Sequence, residues 1–514
     1  MSSRRRFLGS VAGLALASGL PLGAVGATRF ATDPFRLGVA SGYPTSTGAE
    51  LWTRLITSLE RYDGGLDPVA VPVRWEVAAD EAMRGIVASG VETAAPEWAH
   101  SVHAEVKGLE PARPYWYRFT AGDVASPVGR LLTAPARGAP ADRLRFAFAS
   151  CQQYEQGYYG AYRHIVADDP DLIVFLGDYI YESSWGHEHV RKQNPGEPYT
   201  LDDYRMRYAC YKSDPDLQAA HAACPWLVTW DDHEVDNDYA ADRPEDGMPR
   251  ERFLARRAAA YRAYYEHMPL PARMRPDGPH MRLHTQFGWG SLARFFVLDD
   301  RQYRAYQVCP RRAGGSNVVD DRECPARTDP RRSMLGEAQE AWLEQAFAQS
   351  RAGWNIIAQQ TLMAQFAAGA GEERRYWTDG WDGYPAARRK LLESVAAHRL
   401  ANPIVIGGDV HFHAVADLKP DFDDPGSPVV ASEFCGTSIT SQSRSQRSLD
   451  AARADNPHVK LADGRQRGYV RMELRARRVH ADLRAMDSVR SPEAGCSTLA
   501  SFVVEDGRPG PQRA

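Results

Sequence analysis

Five apolar runs in this chain end on residues that can do chemistry. "LRFAFAS" runs into Cys151-Gln152, "LIVFLG" into Asp178 with Tyr181 three residues on, and "WLVTW" into Asp231-Asp232-His233-Glu234. "RFFVL" ends on Asp299-Asp300-Arg301, and "PIVIGG" on Asp409-Val410-His411-Phe412-His413. A single Asp at a strand end is usually a turn or a helix cap. Five polar strand ends instead suggest the crevice at the carboxyl ends of strands, where α/β sheets bind ligands.

The residue types suit two cations bridged by one carboxylate, roughly 4 Å apart, with a water or hydroxide placed to attack phosphorus. Asp178 is the natural bridge. Tyr181 can fold back over the same loop and ligate one ion as phenolate, which needs a strongly acidic ion at neutral pH and favours Fe(III) over Zn or Mg. Cys151 and His411 would complete that site. Asp178, Asp232 and Asp409 offer only oxygen to the second ion, which suits Ca, Mg or Mn. His233 is free to contact the phosphate or protonate the leaving oxygen. Arg301 either pairs bidentately with phosphoryl oxygens or salt-bridges Asp299. Cys151 is alternatively a disulfide partner, Tyr179 either packs or forms a substrate wall, and His413 supports the ligands or faces substrate. Asp231 and Glu234 orient His233 or cap a turn.

The elements that must position these residues change character along the chain. Residues 33–135 read as all-β, in short alternating runs such as "VPVRWEVAA" and "YWYRFTAG" broken by Gly, Pro and Asp. "VKGLEPARPYWYRF" resembles the tyrosine corner of fibronectin-type and immunoglobulin-like sandwiches. Residues 134–142, rich in Ala, Pro and Gly, read as a linker. From Leu144 apolar runs alternate with amphipathic stretches at 250–268, 336–351 and 384–398, the mark of a layered α/β domain. The last alternating runs, from "YVRMELRARR" on, read as edge strands finishing a sheet.

The N-terminus, "SRRRFLGSVAGLALASGLPLGAVGA", sets Arg4-Arg5-Arg6 before a short apolar stretch and small residues. This pattern fits a twin-arginine export signal over residues 1–27, too weakly apolar to span a bilayer. The expected location is periplasmic or secreted, with the twin-arginine translocase as a transient partner. The net charge of −4 over 514 residues gives no basic excess, so no stable nucleic-acid or membrane partner is expected. Seven cysteines in an oxidising compartment leave at least one unpaired; Cys210/Cys224 and Cys309/Cys324 are close enough in sequence to close short loops.

The motifs together resemble a known family. "GDYIY" matches the Gly-Asp-x-x-Tyr element of purple acid phosphatases. "DDHE" and "GGDVHFH" stand where calcineurin-like metallophosphatases carry Gly-Asn-His-(Glu/Asp) and Gly-His-x-His. Cys for the usual first Asp, Asp for Asn and Asp for the first His make the chain similar to the alkaline phosphatase D family, as do the leader and the β-rich N-terminal region. The resemblance implies an α/β fold, a four-layer metallophosphatase β-sandwich flanked by helices over residues 143–514, preceded by the all-β fibronectin/immunoglobulin-like domain. It implies a phosphatase containing Fe(III) and Ca(2+) that cleaves phosphomonoesters and phosphodiesters by attack of a metal-bound hydroxide. The implied ligands are Cys151, Asp178, Tyr181, Asp232, Asp409 and His411, with His233 catalytic and Asn237 in "DDHEVDND" a further oxygen donor. The same scaffold used mainly as a phospholipase D-like diesterase is the alternative. A non-catalytic exported binding protein would leave gaps in the ligand set, and none is visible.

Overall fold

The computed structural model describes residues 29–312 and 314–514; the leader expected over residues 1–27 lies outside them. Runs that are apolar throughout form parallel strands here, because a parallel strand is buried on both faces. Leu144–Ala149, Leu172–Leu176 and Trp226–Thr229 lie side by side, with Phe146 opposite Leu172 and Ile173 opposite Trp226. Ala293–Val297, Trp354–Ala358, Pro403–Gly407 and Ala431–Cys435 run parallel in a second sheet.

These strands centre a ten-stranded and a seven-stranded sheet that pack face to face. Alternation along one strand shows the layering. Phe295 points between the sheets, where its ring meets Phe146 edge-on at 5.3 Å. Phe296 points the other way and meets Phe347 of the helix Glu337–Gln349 at 5.0 Å. That helix and Pro385–Ala397 cover the seven-stranded sheet. Ala161–Ala167, Leu201–Lys212, Pro215–Ala223 and Arg250–His267 cover the ten-stranded one. The order helix, sheet, sheet, helix gives the four layers expected. Gly468–Arg475, Arg478–Met486, Cys496–Glu505 and Arg508–Arg513 extend the larger sheet as an antiparallel edge.

The N-terminal region is all-β and carries the expected tyrosine corner: the backbone N–H of Glu110 donates to the Tyr115 hydroxyl at 3.0 Å. Its two sheets enclose their own apolar core, which includes Leu51, Val73, Tyr117 and Phe119. One of those sheets is not separate from the α/β part. Val39–Thr45 pairs in parallel with Trp226–Thr229 at Gly42 and Trp226, so the ten-stranded sheet runs through both regions.

Cys309 and Cys324 form a disulfide with their Cα atoms 6.1 Å apart. The Cys210/Cys224 pairing is corrected: both thiols are free. Cys210 sits beside Arg191 and Arg207, and Cys224 beside Arg130, Asp169 and Asp171. The helix Pro215–Ala223, about 13 Å long at 1.5 Å per residue, stands between them. Among the described residues no helix is long and apolar enough to cross a membrane.

Candidate metal centre

The strand ends converge. Sγ of Cys151, a carboxylate oxygen of Asp178 and a ring nitrogen of His411 lie within 4.8 Å of one another. The Tyr181 hydroxyl joins them, 2.8 Å from Asp178 Oδ2 and 3.3 Å from His411 Nε2. Four of the strand-end residues take left-handed backbone angles, with φ of 59° at Cys151, 57° at Asp178, 63° at Asp409 and 61° at His411. Each such turn costs on the order of 1–3 kcal/mol for a residue with a Cβ, a strain that surrounding structure must hold and that clusters at functional sites. Gly177 explains part of the packing. A Cβ there would sit 2.5 Å from that of Asp231, so only glycine lets the Asp178 loop close onto its neighbour.

Glu234 ties the loops together. Its carboxylate accepts the backbone N–H of Asp178 at 3.1 Å, of Asp231 at 2.7 Å, and of Tyr179. His411 is oriented from behind: the Gln442 carbonyl can only accept, so Nδ1, 2.8 Å away, carries the proton and Nε2 keeps its lone pair for a cation. Burial pushes His411 down to about 3, so the ring is neutral. Burial, and after it the charge of Asp178, pushes the Cys151 thiol well above its ordinary value. Burial also raises Asp178 strongly; His233 pulls it back, and Asp232, Asp231 and Glu234 push it up again. Asp178 Oδ1, Asp232 Oδ1 and Asp409 Oδ2 are buried with no hydrogen-bond partner. Arg301 and His233 offset only part of this charge, and partnerless carboxylate oxygens beside a thiol are what bound cations satisfy, so the residues fit a metal centre.

Two further groups adjoin the first. Asp178, Asp232 and His233 form one, and Asp232, Asp238 and Asp379 the other, each within 4.8 Å. The last is all carboxylate. Asp238 and Asp379 were missed in the sequence; Asp379 lies in "WTDGW", just after the strand Tyr376–Trp377, which at two residues is too short to show as an apolar run. Asp409 stands outside these groups, on the cleft wall beside His411. Asn237 also faces the cleft, its side-chain amide donating to Glu245 at 2.8 Å.

His233 Nδ1 lies 2.7 Å from Glu182, a buried carboxylate directly after Tyr181 that the motif reading passed over. Burial alone would lower His233, but Glu182, Asp178 and Asp232 hold it well above its ordinary value. The cleft that opens onto these groups has a volume of about 730 Å³. Its wall carries eight carboxylates, Trp185, Trp377 and a single arginine, Arg444.

Three expected site residues are placed elsewhere. Arg301 is fully buried; its guanidinium pairs with Asp231, with Asp379 at 2.8 Å and with Asp232 at 3.5 Å. It neither reaches a substrate phosphate nor salt-bridges Asp299, which accepts its backbone N–H at 3.0 Å. Without it three buried carboxylates would lack their counter-charge, a loss that typically costs several kcal/mol. Tyr179 is buried rather than a substrate wall: its hydroxyl meets His221 at 2.8 Å and its ring packs against Phe175. His413 is also buried, its Nε2 meeting the Arg484 carbonyl at 3.3 Å and its Nδ1 accepting the Thr437 N–H at 3.2 Å. Backbone groups saturate that ring, so it has nothing to offer a substrate.

Comparison with known proteins agrees with this geometry. The family described as PhoD-like phosphatase matches residues 146–483, and the PhoD-like phosphatase N-terminal domain matches residues 21–135. Alkaline phosphatase D of Bacillus subtilis (strain 168) is 45% identical over 527 residues, covering 99% of this chain and 88% of that protein. A solved structure described as "Structure of PhoD" superposes with a TM-score of 0.90 at 45% identity, covering 95% of this chain and 93% of that one. Matched through both its β-rich and its α/β region, the chain belongs to the PhoD-like phosphatase family.

Proposed function

We propose that the chain is an exported, metal-dependent phosphoric ester hydrolase of the alkaline phosphatase D type, acting on phosphomonoesters and phosphodiesters. The observation that carries this reading is the convergence of Cys151, Asp178, Tyr181 and His411 at the floor of an acidic cleft. An anionic ester does not enter a wall of carboxylates unless cations invert its charge. The phenolate, which needs a strongly acidic ion, makes the set with the thiolate and imidazole suit Fe(III), and the carboxylates around Asp178, Asp232, Asp238, Asp379 and Asp409 suit Ca(2+). When bound, the ions supply positive charge for the phosphoryl oxygens and acidity to the attacking water.

The chain's own residues do the rest. Glu182 holds His233 by Nδ1, which leaves Nε2 to hold or release a proton at the leaving oxygen. Arg444, exposed at the rim with its guanidinium 5.3 Å over the Phe412 ring, faces the same space with positive charge. Glu234 fixes the backbone of Asp178 and Asp231, so that ligand positions do not depend on a mobile loop. Export is supported by the Arg4-Arg5-Arg6 leader and by the Cys309–Cys324 bond, which persists in oxidising compartments.

The test compares p-nitrophenyl phosphate and bis(p-nitrophenyl) phosphate turnover by metal-loaded protein and its Asp178→Asn variant. Both activities should be present and should fall together by at least about 10³-fold in the variant, since Asp178 belongs to two adjoining groups that would hold the ions. Wild-type protein that carries its metals and hydrolyses neither ester contradicts the reading.

A further inference from the structure

A second pocket of about 530 Å³ adjoins the acidic cleft and has the opposite charge. The two share Glu245 as a wall. Gln307, which lines the second pocket, reaches through to the metal groups, donating to Asp379 Oδ1 at 2.8 Å and to the Asp238 carbonyl at 2.6 Å. The pocket is therefore one side chain away from the carboxylate cluster.

Its charge comes from four arginines against two carboxylates. Arg250 is paired with Asp242. Arg243, exposed, lies over the exposed Tyr306 ring at 4.9 Å. Arg311 and Arg312 are exposed and, among the described residues, stand in no ion pair within 4.0 Å, although the charge of Arg311 is felt at Glu245. Two features hold these last two in place. The Cys309–Cys324 bond closes their loop, and its two glycines pack closely against Glu245 and Asp238 of the cleft wall. A Cβ on Gly314 would meet the Glu245 carbonyl oxygen at 1.8 Å, and one on Gly315 would meet Asp238 Oδ2 at 3.0 Å. The Ser316 N–H then donates to Asp238 Oδ2 at 2.8 Å. Exposed guanidinium groups lining one pocket beside an ester-cleaving site, one of them stacked over a tyrosine ring, match planar, bidentate recognition of phosphate.

We propose that this pocket is a subsite for a second phosphate on the leaving-group side of the substrate, bound by Arg243, Arg311 and Arg312. The enzyme thereby selects esters that carry another phosphate beyond the scissile one. The proposal rests on the phosphatase reading and specifies its substrate class.

The experiment measures initial phosphate release by the metal-loaded enzyme from 1,3-propanediol monophosphate and 1,3-propanediol bisphosphate, counted per ester. Wild type should favour the bisphosphate by about 10-fold in kcat/KM, mainly through KM, and added salt should erode the preference. Arg243→Ala/Arg311→Ala/Arg312→Ala should bring the ratio to near one, whereas the same change to lysines should keep part of it, since charge remains and the fork is lost. Equal wild-type turnover of the two substrates, or a preference that survives the triple alanine variant, overturns the subsite. A wild type that cleaves neither of them nor p-nitrophenyl phosphate overturns the phosphatase reading, and the subsite with it.

Discussion

Glu182 Oε2 lies 2.7 Å from Nδ1 of His233, joining the loop after one central strand to the loop after the next. The same carboxylate takes the Asn237 N–H on its other oxygen at 3.3 Å, so its position is fixed from two sides. Its task is to set the ring's tautomer and direction. Glu182→Gln should lower kcat by about 10–100-fold, the usual effect of removing such a partner. The loss should be larger for an alkyl phosphate than for p-nitrophenyl phosphate, whose leaving group scarcely needs a proton. Equal losses on both esters would mean that Glu182 only supports the fold.

The disulfide carries part of the cleft wall. Cys309–Cys324 closes the loop that leads into Val318–Val319, whose ribbon partner Tyr376–Trp377 presents Trp377 to the cleft. Closing a loop of this size contributes about 3 kcal/mol. Cys309→Ser/Cys324→Ser should therefore lower Tm by several degrees and raise KM for phosphate esters. Thermal unfolding and steady-state kinetics on the double variant check both parts.

A pH effect on stability arises in the N-terminal region. Glu50 is buried in the ten-stranded sheet, directly opposite Glu105 on the neighbouring strand. Burial first, then the charge of Glu105, pushes its carboxyl up to about 9. Between the ordinary carboxylate value and about 9 the folded state holds a proton that the unfolded chain has released, so stability falls as pH rises through that window. Glu50→Gln should raise Tm at pH 9 and change it little at pH 4. Melting curves at the two pH values test this; an equal shift at both would remove Glu50 as the cause.

Much of this was legible because strands that are apolar throughout announce both their burial and their ends. Cys151, Asp178, Asp232 and His411 were found that way, each following such a run. The same rule overreached at Arg301, Tyr179 and His413, because a strand-end position does not say which way a side chain turns. Arg301 turned inward to neutralise Asp231 and Asp379, neither of which is adjacent in sequence. Glu182 and Asp379 act through partners about 50 and 80 residues away; Glu182 lies one residue beyond its motif and Asp379 follows no apolar run, so spacing carried no sign of them. Helix Leu201–Lys212 was hidden for a related reason: its buried face includes Arg207 and Lys212, which a hydrophobic pattern counts as exposed. The shared sheet between the two regions hangs on one short parallel pairing, which no local pattern encodes.

Metal content read together with the visible spectrum, on purified protein and on Tyr181→Phe, tests the iron and calcium assignment most directly. Purified protein should contain about one iron per chain together with calcium, and should show a broad charge-transfer band that Tyr181→Phe bleaches or shifts strongly. A calcium-selective chelator should abolish ester hydrolysis while the band remains, and calcium should restore activity where zinc restores it poorly. Fully active protein that is colourless and free of iron, or activity that survives exhaustive calcium removal, would contradict that assignment.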